Sequence, residues 1–365
     1  MSKILSGELI GKRESVVDQI LLLNEHQTPL LNLLGFSDPV TQVEHVWFED
    51  SLFADESTVN GAKTDADTSI VVADAEPFRA NQVVKIGEEL LLVTAVDPAT
   101  KTLTVVRGYA GTTAAAIADG AKIEVMFVEG QEGADARQAR FKPRKRVSNY
   151  TQIFDETISI SGTAAAVSQY GIDDLYEYEK QKKQLELALQ LEKALINGIK
   201  YESNDGLVRQ MGGFRHFIQT NVVDGSGQPL DDTKINDAMQ KIYEKGGFAS
   251  GGMYKIMVPA KQKRAISSFQ KSDIRLTRGE NTRGQVVDFF VSDFGQAEIV
   301  LNNNLRADEL IIFDANRVKI RPLNGREFTH EYLGKKGDYF EGQIVGEYTL
   351  EFVQEAAHAR IKNLA

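Results

Sequence analysis

The stretch from Ile172 to Ile199, "IDDLYEYEKQKKQLELALQLEKALINGI", constrains the chain more than any other. Two acids stand at its start, where the positive end of a helix dipole favours them, and Asn197 and Gly198 close it. At 1.5 Å per residue its roughly 25 helical residues span about 38 Å. Leu187, Leu191 and Leu195 form one apolar stripe. Leu185, Leu189 and Ile196 form a second, about a third of a turn or more away. A helix that is apolar on two sides is expected to lie between two layers, so the rest of the chain must be arranged around it.

What precedes the helix divides into three parts. Residues 1–42 read as an arm, with Val16, Val17, Ile20, Leu21 and Leu23 on one helical side. "TPLLNLLG" then offers Thr28 as N-cap, Pro29 at the first helical position and Gly35 as terminator. Either these greasy helices cover the chain's own core or they contact another subunit, with Leu30, Leu31 and Leu34 as the contact candidates. The β-branched and aromatic stretch Thr41–Ser51 predicts a strand. Arg146–Gly162 predicts another, with Ile153, Thr157 and Ser159 on one side and Phe154, Ile158 and Ile160 on or near the other, so the two can pair as a long ribbon. Between them, residues 68–128 hold short strands separated by turn signals such as "DPATK" and read as a small all-β domain inserted into the ribbon.

From Met211 onward helices and strands alternate, which predicts an α+β domain over about residues 213–323. "TKINDAMQKIYEKGG" reads as a helix capped by Thr233 and stopped by Gly246. "IVGEYTLEFVQ" is expected to be a final strand and "EAAHARIKN" a short terminal helix. The 365 residues suffice for two or three domain-sized units of about 150 residues. Cysteine is absent, so disulfides, cysteine-zinc sites and thiol nucleophiles are excluded, and stability must come from packing or assembly. No stretch approaches the ~20 apolar residues of a membrane helix, and the N-terminus lacks the apolar core of a signal peptide. The expectation is a chain made and kept in the cytoplasm, without membrane association.

Motifs for chemistry are missing. The five histidines have no second histidine at zinc-site spacing and read as structural. There is no P-loop, dinucleotide fingerprint or nucleophile elbow, and "DGSGQPLDDT" lacks the spaced acids of a calcium loop. Asp173/Asp174 and Asp231/Asp232 read as helix starts. No enzyme activity, cofactor or metal is expected. The strongest local signal is "ARQARFKPRKRVSNYTQIF", with Arg137, Arg140, Lys142, Arg144, Lys145 and Arg146 in a chain of net charge -10. Phe141 and Tyr150 among these charges would suit stacking on nucleic-acid bases. Against that, an acidic chain repels phosphates, and Pro143 with Gly130 and Gly133 makes the run a loop.

The order of arm, ribbon, long helix, glycine-punctuated segment and α+β domain resembles the major capsid proteins of tailed bacteriophages with the Hong Kong 97-type fold. The resemblance is carried by "TPLLNLLG", "EGQEGADARQARFKPRKRVSNYTQIFDETISISGTAAAVSQYGIDD", "LEKALINGI" and "RQMGGF". "RGYAGTTAAAIADGA" in the β insertion resembles a module of various phage structural proteins. The resemblance implies an N-terminal arm (1–42), an extended loop (43–67 and 129–162) carrying the inserted domain (68–128), a peripheral domain with a spine helix (163–212 and 324–365) and an axial domain (213–323). It further implies hexamers and pentamers that close an icosahedral shell around packaged double-stranded DNA, without sequence-specific binding, in a virion assembled in the bacterial host cytoplasm. Scaffolding, portal and cement proteins are the implied partners, with the scaffold a separate chain. The six basic residues are then expected to pair with acids of a neighbouring subunit. Two other readings stay open: an encapsulin-like shell for protein cargo, and a nucleic-acid-binding protein using residues 137–146.

Overall fold

The computed structural model describes residues 28–133, 135–167, 174–248, 253–269, 275–280, 286–334 and 337–365. The arm stripe expected from Val16 to Leu23 and the "YGID" start of the long helix lie outside these residues. The chain divides into two compact units, Phe48–Lys145 and the residues flanking it on both sides, up to Trp47 and from Arg146 on.

In the flanking unit, Pro29 opens the short helix α1 (Pro29–Leu34) and Gly35, with φ of 62°, ends it. Thr28 precedes it without a side-chain capping bond. Strand β1 (Glu44–Glu49) follows.

The Phe48–Lys145 unit is a six-stranded antiparallel sheet in the order β2-β7-β4-β5-β6-β3, formed by β2 (Glu56–Thr58), β3 (Ser69–Val71), β4 (Gln82–Ile86), β5 (Glu89–Asp97), β6 (Thr102–Val106) and β7 (Lys122–Val128). Its core gathers Val59, Ile70, Val84, Leu91, Val93, Leu103 and Ile123. The sheet begins earlier than residue 68, because β2 pairs with β7 from Glu56↔Glu124 to Thr58↔Lys122. So short a strand has no periodicity of its own to announce it.

Back in the flanking unit come β8 (Lys145–Tyr150), β9 (Gln152–Ser161), α2 (Gly162–Ala166) and the long helix α3 (Leu175–Asn197), about 34 Å of helix. Asp174 caps α3 by accepting from the Tyr176 and Glu177 N–H groups. Leu187, Leu191, Leu195 and Ile196 are buried in the main core with Phe154, Ile158 and Ile160 of β9. The second stripe is thinner than expected: Leu185 is exposed, and a carboxylate, Glu192, is fully buried. β10 (Tyr201–Glu202) and β11 (Arg209–Gln210) form a small hairpin, followed by α4 (Phe214–Phe217).

Next come β12 (Val222–Asp224), α5 (Asp232–Glu244), β13 (Tyr254–Val258), α6 (Ala260–Ser268), β14 (Arg275–Glu280), β15 (Val286–Val291), β16 (Gln296–Leu301) and β17 (Leu310–Asp314). The last four strands are β18 (Val318–Pro322), β19 (Thr329–Leu333), β20 (Tyr339–Phe352) and β21 (Ala359–Lys362). A mixed sheet runs β12-β21-β17-β13-β16-β15-β14. Ile256, Val258, Leu310 and Ile312 pack with Ile235, Met239 and Ile242 of α5, while Met257, Ile311 and Phe313 join the core around α3. Alternation along strands buried on both faces thus ties α3 to this sheet.

A second sheet is built on β20, which pairs with β9 from Tyr339↔Ser161 to Tyr348↔Gln152 and with β19 and β18. The expected long ribbon is therefore short. Strand β1 pairs with β8, but β9 leaves for β20 because Phe154, Ile158 and Ile160 need a core that a solvated ribbon cannot supply. Three further expectations are corrected. The cap of α5 is Asp231, whose carboxylate accepts from the Lys234 N–H at 2.9 Å, and not Thr233. "EAAHARIKN" yields one 3-10 turn, Glu355–Ala357, and then β21, because pairing with β12 and β17 on both sides outweighs its alanine-rich helix propensity. Val318–Pro322 joins the β20 sheet and Ala359–Lys362 the seven-stranded one, so neither sheet follows the boundary at residue 323.

Candidate functional site

The stretch "SNYTQ" and the glycines of "RQMGGF" build one buried polar joint. Asn149 is fully buried; its Nδ2 donates to Gly212 O at 3.0 Å and Leu350 O at 2.8 Å, and its Oδ1 accepts from the Gly212 N–H at 2.7 Å. Thr151 donates through Oγ1 to Glu347 Oε1 at 2.6 Å, and its N–H donates to Val43 O. Gln152 Oε1 accepts from the Met211 N–H. The joint closes on α3 because Gly198 and Gly213 let backbones meet: a Cβ on Gly213 would stand 2.4 Å from Leu195 O.

One face of β20 supplies the opposing acids. Glu347 receives Thr151, Arg209 Nη2 at 3.3 Å and Arg326 Nε at 2.9 Å. Thr349 Oγ1 donates to Tyr150 O at 2.9 Å. Glu351 meets His45 Nε2 at 2.8 Å and Arg321 Nε at 2.5 Å, and these two partners hold its carboxyl down to about 2. Buried acids with several donors each fix geometry, since losing one partner leaves a desolvated charge.

A third buried acid seats the arm. Glu192 of α3 accepts from the Leu30 and Leu31 N–H groups of α1 at 3.0 and 2.9 Å, and from Asn302 Nδ2 at 2.6 Å. Burial pushes its carboxyl up, against the pull of these donors. Leu30 is fully buried in the chain's own core, and Leu31, Leu33 and Leu34 pack against that core. As a contact for another subunit Leu30 is thereby corrected: it has no surface left to offer, and α1 covers its own core.

The basic run is exposed and largely irregular, as expected from Pro143. Its charges are not free of partners. In the Phe48–Lys145 unit, Arg137 donates to Glu129 O, Lys142 faces Glu76 at 3.3 Å and Arg144 faces Asp50 at 3.6 Å. Arg140 donates to Pro77 O at 2.9 Å and lies over the Phe53 ring. In the flanking unit, Arg146 meets Glu44 at 3.0 Å; the Ser148 hydroxyl, at 2.6 Å, does most to hold the Glu44 carboxyl down. Lys145 has no ion pair among the described residues.

The described histidines serve structure. His45 holds Glu351, His330 contacts the Tyr176 hydroxyl at 2.8 Å, and the imidazole of His216 is pushed down by burial. His358 is fully buried, accepts from the Asp314 N–H through Nδ1 and is pushed down to about 4 by desolvation. Among the described residues no group of three or more His, Asp or Glu side chains could hold a metal ion.

The model of the SU10 major capsid protein family matches residues 3–365. This chain belongs to that family. Over 123 residues it is also 30% identical to the major capsid protein of Escherichia phage Phieco32, a match covering 33% of each chain. It thus spans about a third of the length of that curated relative. Among solved structures, it resembles the capsid of the native GTA particle (TM-score 0.51, 10% identity, 99% of this chain and 97% of that one). A chain of Microbacterium phage Oxtober96 is comparable (0.52, 10%, 97% and 96%), as is the SrpI encapsulin of Synechococcus elongatus PCC 7942 (0.52, 8%, 96% and 92%). These likenesses establish the Hong Kong 97-type α+β fold. In this SU10-family capsid protein, part of the motifs that carried the resemblance builds the joint: Asn149, Thr151, Gln152, Gly198 and Gly213.

Proposed function

We propose that copies of this chain assemble into hexamers and pentamers that close an icosahedral shell around phage double-stranded DNA. The observation that carries this reading is the family match over residues 3–365, on a chain with the capsid fold. The chemistry is complementarity between copies and not turnover. In this reading residues 1–42 act as the arm, Phe48–Lys145 extends from the extended loop, and α3 is the spine of the peripheral domain. DNA is held inside without sequence readout, and a scaffolding protein, a portal and cement proteins join the assembly in the host cytoplasm.

Arg137, Arg140, Lys142, Arg144, Lys145 and Arg146 are the assembly candidates. The acids that Lys142, Arg144 and Arg146 face at home are exposed or half-exposed, so a neighbour's acids can replace them at small cost. The encapsulin-like alternative is weaker: the family matched over the whole length is one of phage capsid proteins, whereas the SrpI likeness concerns fold alone.

The test is expression of the full chain, alone and with the scaffolding protein of its phage, followed by negative-stain electron microscopy. Closed shells or capsomer rings support the reading; monomers under both conditions overturn it. Normal particles after Gln replaces all six basic residues would remove the run from the interface.

A further inference from the structure

The sheet of β9, β20 and β19 has two faces of opposite kind. Phe154, Ile158, Ile160 and Ile344 point into the core. Directly opposed residues of an antiparallel pair share a face, so on the other side Asp155 lies with Val345, and Glu331 with Gln343. Asp155, Thr157, Ser159 and Glu331 are exposed there, and Ile153, although aliphatic, is 44% exposed. A groove of about 430 Å³ opens on this face, with Ile153, Asp155, Arg326, Glu331 and Val345 in its walls. Its charge is one-sided. Asp155, Glu331 and Glu341 have no ion pair among the described residues, while Arg326, the cation of the groove, is held by Glu347 at 2.9 Å. Glu331 and Glu341 are moreover diagonal neighbours across β19 and β20, so their charges oppose each other.

A solvated polar face is ordinary on an antiparallel sheet. This one differs in leaving three carboxylates without a cation, when acids elsewhere on the same strands have one: Glu156 of β9 faces Lys183 at 3.5 Å and Glu351 of β20 faces Arg321. The complementary surface is in the chain's own sequence. Six of the ten residues from Arg137 to Arg146 are basic, and residues 135–144 form neither helix nor strand. Within that run Lys145 has no ion pair among the described residues, and Arg144 meets Asp50 only at 3.6 Å with both side chains mostly exposed. Lysine and arginine lay their aliphatic stems on apolar surface while their heads reach an acid, which is what Ile153 and Val345 beside Asp155 and Glu331 offer. A phosphate backbone would be repelled by the same acids. We propose that this solvated face of β9, β20 and β19 is the docking surface for residues 137–146 of a second copy of this chain, with Asp155, Glu331 and Glu341 receiving its cations. This rests on the shell reading above and names the neighbour's acids within it.

The experiment uses the full chain under the conditions in which the wild type assembles. Particles grown from mixed ¹⁴N and ¹⁵N chains are treated with a carbodiimide, which joins a lysine to a carboxylate in direct contact. Mass spectrometry should find Lys142 or Lys145 joined to Asp155, Glu331 or Glu341 of the other isotope. Links of these lysines to their own chain alone, or to acids outside this face, overturn the docking and leave the shell reading intact. Charge exchange gives an independent answer. The variant Asp155→Lys, Glu331→Lys alters two exposed side chains, and is expected to remain folded by circular dichroism and to lose roughly tenfold or more of its assembled fraction in sedimentation. Adding Arg144→Glu and Lys145→Glu to it should restore most of that loss. Assembly of the first variant at the wild-type level, or no recovery in the fourfold variant, overturns the docking. A wild type that stays monomeric under every condition overturns the shell reading, and the docking with it.

Discussion

Arg137–Arg146 and Ser148–Gln152 are adjacent in sequence and opposite in character. The first carries six charges, and the ion pairs of Lys142, Arg144 and Arg146 have at least one partly exposed partner each. The second carries no charge, yet Asn149 and Thr151 are fully buried with every contact specified. Surface pairs are screened and exchangeable, whereas a buried polar group that loses a partner is left with the whole desolvation cost. Conspicuous charge therefore marks the part that can change partners, and inconspicuous polar residues mark the part that cannot.

That contrast breaks most visibly at the joint. Gly213→Ala puts a Cβ against Leu195 O and should destabilise by more than about 3 kcal/mol, seen as loss of soluble protein or a collapsed urea midpoint. Asn149→Ala strands the Gly212 N–H and should cost about 2–4 kcal/mol in the same assay; a loss under 1 kcal/mol would mean that the joint is not rigid.

Acid tests the charged members of the joint. The folded Glu351 carboxyl lies near 2, below its ordinary 4.5, so its contribution is present above 4.5 and is lost as pH falls toward 2. The difference corresponds to about 3 kcal/mol. Glu351→Gln should flatten the acid limb of a urea-midpoint profile, and an unchanged limb would place the acid sensitivity elsewhere. The smallest effect belongs to the exposed run: Arg144→Gln should leave the melting temperature of the unassembled chain within about 2 °C of the wild type. A larger fall would show that the run helps to hold the chain's own fold.

The elements whose sequence carries a local cause were legible. Period-3.6 apolar residues and capping acids predicted α3, and alternation placed Phe154, Ile158 and Ile160 inside. The basic loop was visible as charge with Pro143. Glu192 was hidden: a glutamate in a helix full of Glu and Lys looks solvated, and only the approach of α1 and Asn302 makes it a buried acceptor. The expected terminal helix failed where β12 and β17 supplied two sets of backbone partners to the same residues.

By itself, then, the sequence determined the long helix, the period of its strands, the absence of thiol chemistry and, through the motifs around "SNYTQIF" and "RQMGGF", the kind of protein to expect. Tertiary structure decided which strand β9 joins, which leucines belong to the core and which charges already have partners. The reason is range: caps and periodicity act over a few residues, while pairing, burial and electrostatic neighbourhood depend on segments that only folding brings together.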